Sequence, residues 1–168
     1  MEPETTADLR AARAGDRAAF ARVHGRWHRV VHGVLLSRLP PQDAEELVQE
    51  VFVTAWLRLP DLVEVAAFPG WICAIARNRA VDHLRARKLT EPLVFEPAVA
   101  GSDHALRIDT LRAIQALPEA YRETLMLRLA EDLSGPEIAA KTGLAEGSVR
   151  VNLHRGMAML RERLGGPS

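Results

Sequence analysis

One long interruption in an otherwise helical pattern decides what this chain can fold into. Residues 89–103, LTEPLVFEPAVAGSD, carry two prolines, a glycine and little charge. On either side of them apolar residues recur at three- and four-residue steps, the spacing of a helix with one buried face. Such a stretch between two periodic halves reads as an interdomain linker. The expected fold is therefore all-α: two small helical domains, 1–88 and 104–168, joined by a flexible linker. Composition agrees. The 168 residues are 48% hydrophobic but only 5% aromatic, and rich in Ala, Leu and Arg, which favours helix over sheet.

No run of about 18 apolar residues is present, so membrane insertion is not expected. The N-terminus, MEPETTADLR, is acidic and polar, unlike a secretory signal. A single cysteine, Cys73, excludes an internal disulfide and a multi-cysteine zinc site. These features point to a cytoplasmic protein. Lys and Arg number 22 and so do Asp and Glu, giving a net charge of zero. A protein holding DNA alone is usually basic, because phosphate neutralisation supplies most non-specific affinity. Here acids gather in one helix and bases in others, which suggests two partners of different character.

In the first half, Asp8 to Ala14 predicts a short helix stopped at Gly15. Asp16 is the N-cap of a second helix running towards Arg38, where Pro40-Pro41 ends it. Its core face is Phe20, Val23, Trp27, Val30, Val31, Val34 and Leu35. A third helix, from Gln42 to about Leu59, buries Ala44, Leu47, Val48, Val51, Phe52, Ala55 and Leu59. Asp43, Glu45, Glu46, Gln49 and Glu50 crowd its first half. The helix dipole favours the acids of the first turn, but not Gln49 and Glu50 beyond it. A turn-like connection, 60–67, follows.

The stretch 68–88, FPGWICAIARNRAVDHLRARK, predicts one helix with Pro69 in its first turn. Ile72, Cys73, Ala76, Ala80 and Leu84 form an apolar stripe. Trp71, Asn78, Asp82 and Arg85 fall opposite it, with Arg77, Arg79, Arg87 and Lys88 along the flanks. Cations beside an aromatic suit phosphate contact and stacking on an exposed base; the plainer reading is a solvated basic face.

After the linker, one helix covers Ala105 to Ala116 and another runs from Pro118 to about Glu131. Ser134-Gly135-Pro136-Glu137 is a capping box with proline in the first turn. The helix it opens stops at Gly143, a φ > 0 turn residue. A last helix, from about Gly147 to Leu164, has the buried stripe Val149, Leu153, Gly156, Met157, Leu160 and Leu164. Capped helix, glycine turn and second helix at this spacing make a helix-turn-helix. The outer face of the second helix presents Ser148, Arg150, Val151, His154, Arg155, Ala158 and Arg161. An arginine there suits guanine and Val151 a thymine methyl.

Phe68, Trp71, the run Ile75-Ala76-Arg77-Asn78, and Val81-Asp82-His83-Leu84-Arg85 resemble the minus-ten-reading and promoter-melting segment of bacterial sigma factors. The small extracytoplasmic-function (ECF) class is the nearest match. Asp43-Ala44-Glu45-Glu46-Leu47-Val48-Gln49-Glu50-Val51-Phe52 resembles the segment that docks on the clamp of RNA polymerase. The run Leu117 to Tyr121 with Leu133 to Arg155 resembles the domain that reads the minus-thirty-five element. The resemblance implies a chain that binds core RNA polymerase and promoter DNA, opens the strands, and is held by an anti-sigma factor. It implies no catalysis, no cofactor, no metal and no small-molecule substrate.

By that resemblance the polymerase contacts are Asp43, Glu46, Gln49 and Glu50. The minus-ten contacts are Trp71, Arg77, Asn78, Arg79, Asp82, Arg85 and Lys88, and the minus-thirty-five contacts are Ser148, Arg150, Val151, His154 and Arg155. The loop 60–67 would receive a flipped base. Asn152 and Met157 stand where relatives often carry Arg or Lys, and Ala145 where Ser often caps the recognition helix. The linker is expected to leave the two domains poorly positioned until both dock.

Two other readings compete. One is an ordinary helix-turn-helix regulator with an N-terminal helical sensor domain, binding DNA unaided as a dimer. The other is a metal protein built on His24, His28 and His32, which share a helix face at ligand-capable spacing. No carboxylate or cysteine lies beside them at helical spacing, so packed or partner-facing histidines are the preferred reading.

Overall fold

The computed structural model describes residues 1–90 and 102–165. Within them the chain forms helices α1 (Pro3–Arg13), α2 (Arg17–Leu36), α3 (Pro41–Arg58) and α4 (Phe68–Thr90), then α5 (Ser102–Gln115), α6 (Glu119–Leu129), α7 (Gly135–Thr142) and α8 (Glu146–Arg163). Two short 3-10 turns, Leu59–Asp61 and Val65–Ala67, occupy the connection between α3 and α4. Most of the expected linker lies outside the described residues; its first two residues finish α4 and its last two begin α5.

Local chemistry sets most of the helix ends. Asp16 accepts from the amides of Ala18 (2.9 Å) and Ala19 (3.1 Å), capping α2. The Ser134 hydroxyl accepts from the Glu137 amide, and the Glu137 carboxylate accepts from the Ser134 amide, so the capping box of α7 is complete. Gly143 ends α7 at φ +78°, where a side chain would be strained. Helix α1 starts earlier than expected. Pro3 is already suited to a first helical turn, and Glu4 meets the positive end of the dipole.

The apolar stripes bury as expected in α3, from Ala44 through Leu59, and in α4, where Ile72, Cys73, Ala76 and Ala80 are inside and Leu84 is half-buried. In α8, Val149, Gly156 and Leu160 are buried and Leu153 and Met157 partly so. Leu164 is 48% exposed, against expectation, because α8 ends at Arg163 and Leu164 lies past its last packed turn.

Helix α2 is the axis of the structure. It packs against α1, α3 and α4 of its own half and against α6 and α7 of the other. Its second half, Val30, Val31 and then Gly33 to Leu36, is buried on both sides. A Cβ on Gly33 would stand 2.6 Å from Leu127 Cδ2 and 2.9 Å from Glu131 Cγ, so α6 crosses α2 where no side chain intervenes. Gly156 does the same for α8 over Leu125 and Tyr121 of α6.

The two halves are thus packed together, contrary to the expectation that they are poorly positioned relative to each other. The physical reason is a set of buried polar contacts whose partners lie far apart in sequence. Gln115, at the end of α5, donates to the carbonyls of Leu36 (2.8 Å) and Leu39 (2.9 Å) at the end of α2. Trp27 Nε1 donates to the Lys141 carbonyl (3.3 Å). Lys141 Nζ returns a bond to the Arg26 carbonyl (3.0 Å) and lies 4.4 Å over the Trp27 ring.

The caps give a paired prediction. Asp16→Ala is expected to lower the unfolding free energy by about 1 kcal/mol. Ala145, extended at the N-cap of α8 with no side-chain cap bond, gives the converse. Ala145→Ser is expected to raise stability by about 0.5–1 kcal/mol. Urea unfolding with an unchanged m-value checks both; equal midpoints across the three proteins would refute the capping account.

Candidate nucleic-acid interface

Helix α8 is held by its packed side on α6 and α7, leaving one face in solvent. Ser148, Arg150, Val151, His154 and Arg155 are all exposed on it. None makes an ion pair or side-chain hydrogen bond within the described residues. These residues lie at three- and four-residue steps, so they form one continuous outward patch. Asn152 and Met157 turn instead towards the body. The Asn152 amide donates to Thr124 Oγ1 (3.5 Å), and Met157 packs partly on the core. Bases are missing at these two positions because the side chains there serve packing.

Helix α4 is divided. Asn78, Asp82, Arg85 and Lys88 are exposed, at steps of three and four along one line. The other expected contacts are engaged. Trp71 is half-buried with its ring 5.7 Å from that of Phe68, so it borders the core and does not stand opposite it. Arg79 donates through Nε (2.7 Å) and Nη2 to the Glu50 carboxylate of α3. Arg77 holds Glu123 of α6 with both arms of its fork, Nε to Oε2 at 2.9 Å and Nη2 to Oε1 at 2.7 Å.

On α3, Glu46 and Gln49 point to solvent with no partner among the described residues. Asp43 accepts from Arg87 Nη1 (2.5 Å) and pairs with His83 Nε2 (3.0 Å). The acids of α3 and the bases of α4 are therefore partly paired with each other. The expected separation of charge onto two independent faces holds only in part, for Glu45 and Glu46 on α3 and for Arg85 and Lys88 on α4. In the connection 60–67, Leu62 and Val65 are buried while Val63 stands 84% exposed. Arg13 ties this connection to α1 by donating to the carbonyls of Leu62 (3.0 Å) and Val63 (3.2 Å).

The histidines separate by environment. The His24 ring lies 4.2 Å from Phe52, and burial, with His28 nearby, lowers its pKa. The His32 ring is stacked on that of His28, and its Nδ1 pairs with Glu131 Oε1 at 2.5 Å. That bond raises the His32 pKa. The carboxylate that sequence spacing could not supply arrives from the end of α6, 99 residues later.

Sequence reasoning missed the centre of this arrangement. Glu123 is 7% exposed and takes Arg38 Nη1 (2.9 Å) as well as Arg77. Arg38 reaches on to Glu119, whose carboxyl it holds below the usual range. The available signal was Gly33 within a helix apolar on two sides, with Arg38 just past its end. Cys73, fully buried, faces the Lys141 carbonyl of α7 (3.8 Å), and burial pushes its thiol up to about 12. Such a thiol is unreactive while covered.

Two family models match: Sigma-70 region 2 over residues 23–90 and Sigma-70, region 4 over residues 107–160. The ECF RNA polymerase sigma factor SigF of Caulobacter vibrioides is 32% identical over 129 residues, covering 74% of this chain and 72% of that protein. The probable RNA polymerase sigma factor RfaY of Xanthomonas campestris is 30% identical over 172 residues, 94% of this chain. This chain spans only 43% of the length of that relative. Among solved structures, CnrH in complex with the cytosolic domain of CnrY superposes with a TM-score of 0.67 at 25% identity. That match covers 98% of this chain and 99% of the other.

The His32–Glu131 pair gives a signed prediction. The folded His32 pKa lies above its ordinary 6.5. Its contribution to stability is therefore fully present below that value and lost as pH rises through the raised one. Arg29, 4.0 Å from Glu131, and Glu45 also act on this pair. His24, shifted the other way, is common to both proteins in the comparison. His32→Gln is expected to cost more stability at about pH 6 than at about pH 8.5 by urea unfolding; an equal loss at both would refute it.

Proposed function

Because the chain belongs to the extracytoplasmic-function class of the sigma-70 family, we propose that it binds core RNA polymerase, directs it to specific promoters and promotes strand opening. The polymerase is the enzyme, and this chain supplies address and melting. We assign 1–88 to clamp docking and minus-ten recognition, 89–103 to the linker, and 104–168 to minus-thirty-five recognition.

The observation that carries the reading is the exposed, unpaired face of Ser148, Arg150, Val151, His154 and Arg155 on the second helix of a complete helix-turn-helix. It is joined in one chain to a second cationic row on α4. Arginine in a major groove reads guanine through a bidentate pair worth about 1–3 kcal/mol. The α4 row, with Asn78, Arg85 and Lys88 outward, suits a backbone and displaced bases. We assign Glu46 and Gln49, with Glu50 and Asp43 behind them, to the clamp contact. We assign the connection 60–67, with Val63 exposed at its tip, to receipt of a flipped base.

Net charge is zero and two acids of α3 already neutralise bases of α4, so the free chain has little long-range attraction for DNA. This favours recognition within a polymerase complex over an ordinary regulator working unaided. Class membership supports an anti-sigma partner and a cytoplasmic place of action.

In holoenzyme, Arg150→Ala or Arg155→Ala is expected to weaken the upstream promoter contact by about 1–3 kcal/mol. Asn78→Ala is expected to remove permanganate reactivity of promoter thymines while the upstream footprint stays. Gln49→Ala with Glu46→Arg is expected to weaken core-polymerase binding with helicity unchanged. Tight, specific binding of promoter DNA by the purified chain alone, as a dimer on a palindrome, would overturn the reading in favour of the regulator.

A further inference from the structure

The connection 60–67 draws the support of its tip from another helix. Each of its 3-10 turns closes on itself, the Leu62 amide on the Leu59 carbonyl (3.1 Å) and the Ala67 amide on the Glu64 carbonyl (3.0 Å). Neither bond crosses Val63. Leu62 and Val65 are buried on either side of it, while Val63 itself stands in solvent. Arg13 Nη1 donates at once to the Leu62 carbonyl (3.0 Å) and the Val63 carbonyl (3.2 Å). One cationic nitrogen thus fixes both peptide planes that flank Val63, and each carbonyl keeps a second lone pair.

Helix α1 is a firm base for that arginine. Asp8, 8% exposed, accepts from Arg22 Nε (2.9 Å) and Nη2 (2.7 Å) and from Arg26 Nη1 (2.5 Å), which ties the middle of α1 to α2. Between α1 and the connection lies an open cleft of about 340 Å³, lined in part by Thr6, Arg10, Arg13, Val63, Glu64 and Val65. Arg10 is one turn before Arg13 on the same face. It is exposed, and its side chain has no hydrogen bond or ion pair among the described residues. The cleft therefore sets cations on one wall against apolar side chains and a carboxylate on the other. An unpaired nucleotide carries the matching parts, a flat face, polar base edges and a phosphate.

We propose, on the reading that 60–67 receives a flipped base, that α1 forms the second wall of that site. Arg13 is a positioning residue that shapes residues 62–64 for the base, and Arg10 meets the phosphate of the same nucleotide. Both precede the segment that matches region 2, which begins at residue 23.

Holoenzyme assembled with the full-length chain would be titrated with fork-junction promoter DNA. Each base of the single-stranded minus-ten element would be changed in turn, at several salt concentrations. The unaltered chain is expected to discriminate bases within the element about tenfold or more. Arg13→Met keeps the aliphatic stem and removes the donors. It is expected to cut discrimination at one position to about twofold and leave the others as they were. Arg13→Lys, with three donors on one nitrogen, is expected to restore part of it. Arg10→Ala is expected to weaken binding to every sequence alike and to lower the salt slope by about one, with discrimination kept. Circular dichroism and core-polymerase binding are read on the same samples.

Unchanged discrimination at every position in Arg13→Met would overturn the positioning role. So would a loss shared equally by all positions, the mark of a merely structural effect, or Arg13→Lys no better than Arg13→Met. An unaltered salt slope in Arg10→Ala would overturn the phosphate contact. Unaltered holoenzyme that discriminates at no minus-ten position, or a chain that does not bind core polymerase, would sink the reading of 60–67 and the second wall with it.

Discussion

One buried carboxylate sets the relation between the two halves of this molecule. Glu123 sits in the middle of α6 among Thr124, Leu125, Met126 and Leu127, all buried, and is itself 7% exposed. An ionised carboxylate at such a position is costly unless cations and hydrogen bonds replace its water. Arg38 and Arg77 supply three hydrogen bonds to its two oxygens. They come from just past the end of α2 and from the middle of α4, so this carboxylate fixes the register of α6 against both. Removing one partner of such a cluster typically costs about 3–5 kcal/mol, because the remaining charge stays buried.

The rest of the interface follows from that register. With α6 pinned, Leu127 falls over Gly33 and the end of α6 brings Glu131 to His32. Helix α7, fixed to α6 by a short turn, then delivers the Lys141 carbonyl to Trp27 and Cys73. Gly143 packs against Gly70, with no side chain on either to hold the backbones apart. Lys141 itself is drawn over Trp27, and burial pushes its ammonium below the ordinary lysine value.

The elements that repeat or that obey local rules were legible in the sequence. Pro69 in a first turn, the Ser134–Glu137 box, Gly143 as a left-handed cap and the apolar stripes of α3 and α4 all lie where the spacing put them. Each is a relation between residues a few positions apart. The relation between the halves has no such signature. Arg38 and Glu123 are 85 residues apart and Arg77 and Glu123 are 46 apart. A wheel assigns Arg77 to a flank of α4 without saying whether water, DNA or a carboxylate lies beyond it. Trp71 shows the same limit. The wheel places it opposite the apolar stripe, but Phe68, one turn earlier, gives its ring a packed neighbour on that side. Family resemblance assigned expected contacts that the wheel could not, and it was silent on which of them the packing between the halves engages.

In a chain of zero net charge, position decides which charges remain available to a partner. Charges near the α3–α4 seam and at the interface between halves are paired, as in Arg79 with Glu50, Arg87 with Asp43 and Arg77 with Glu123. Arg150 and Arg155 of α8 have no such partner among the described residues. The positive end of α7 is taken by its own Glu137 carboxylate, which accepts from the Ser134 amide. Arg150 and Arg155 on α8 and Arg85 and Lys88 on α4 stay exposed, whereas Arg77 and Arg79 are held by carboxylates. A phosphate could reach Nε and Nη2 of Arg77 only by displacing the Glu123 carboxylate that they hold.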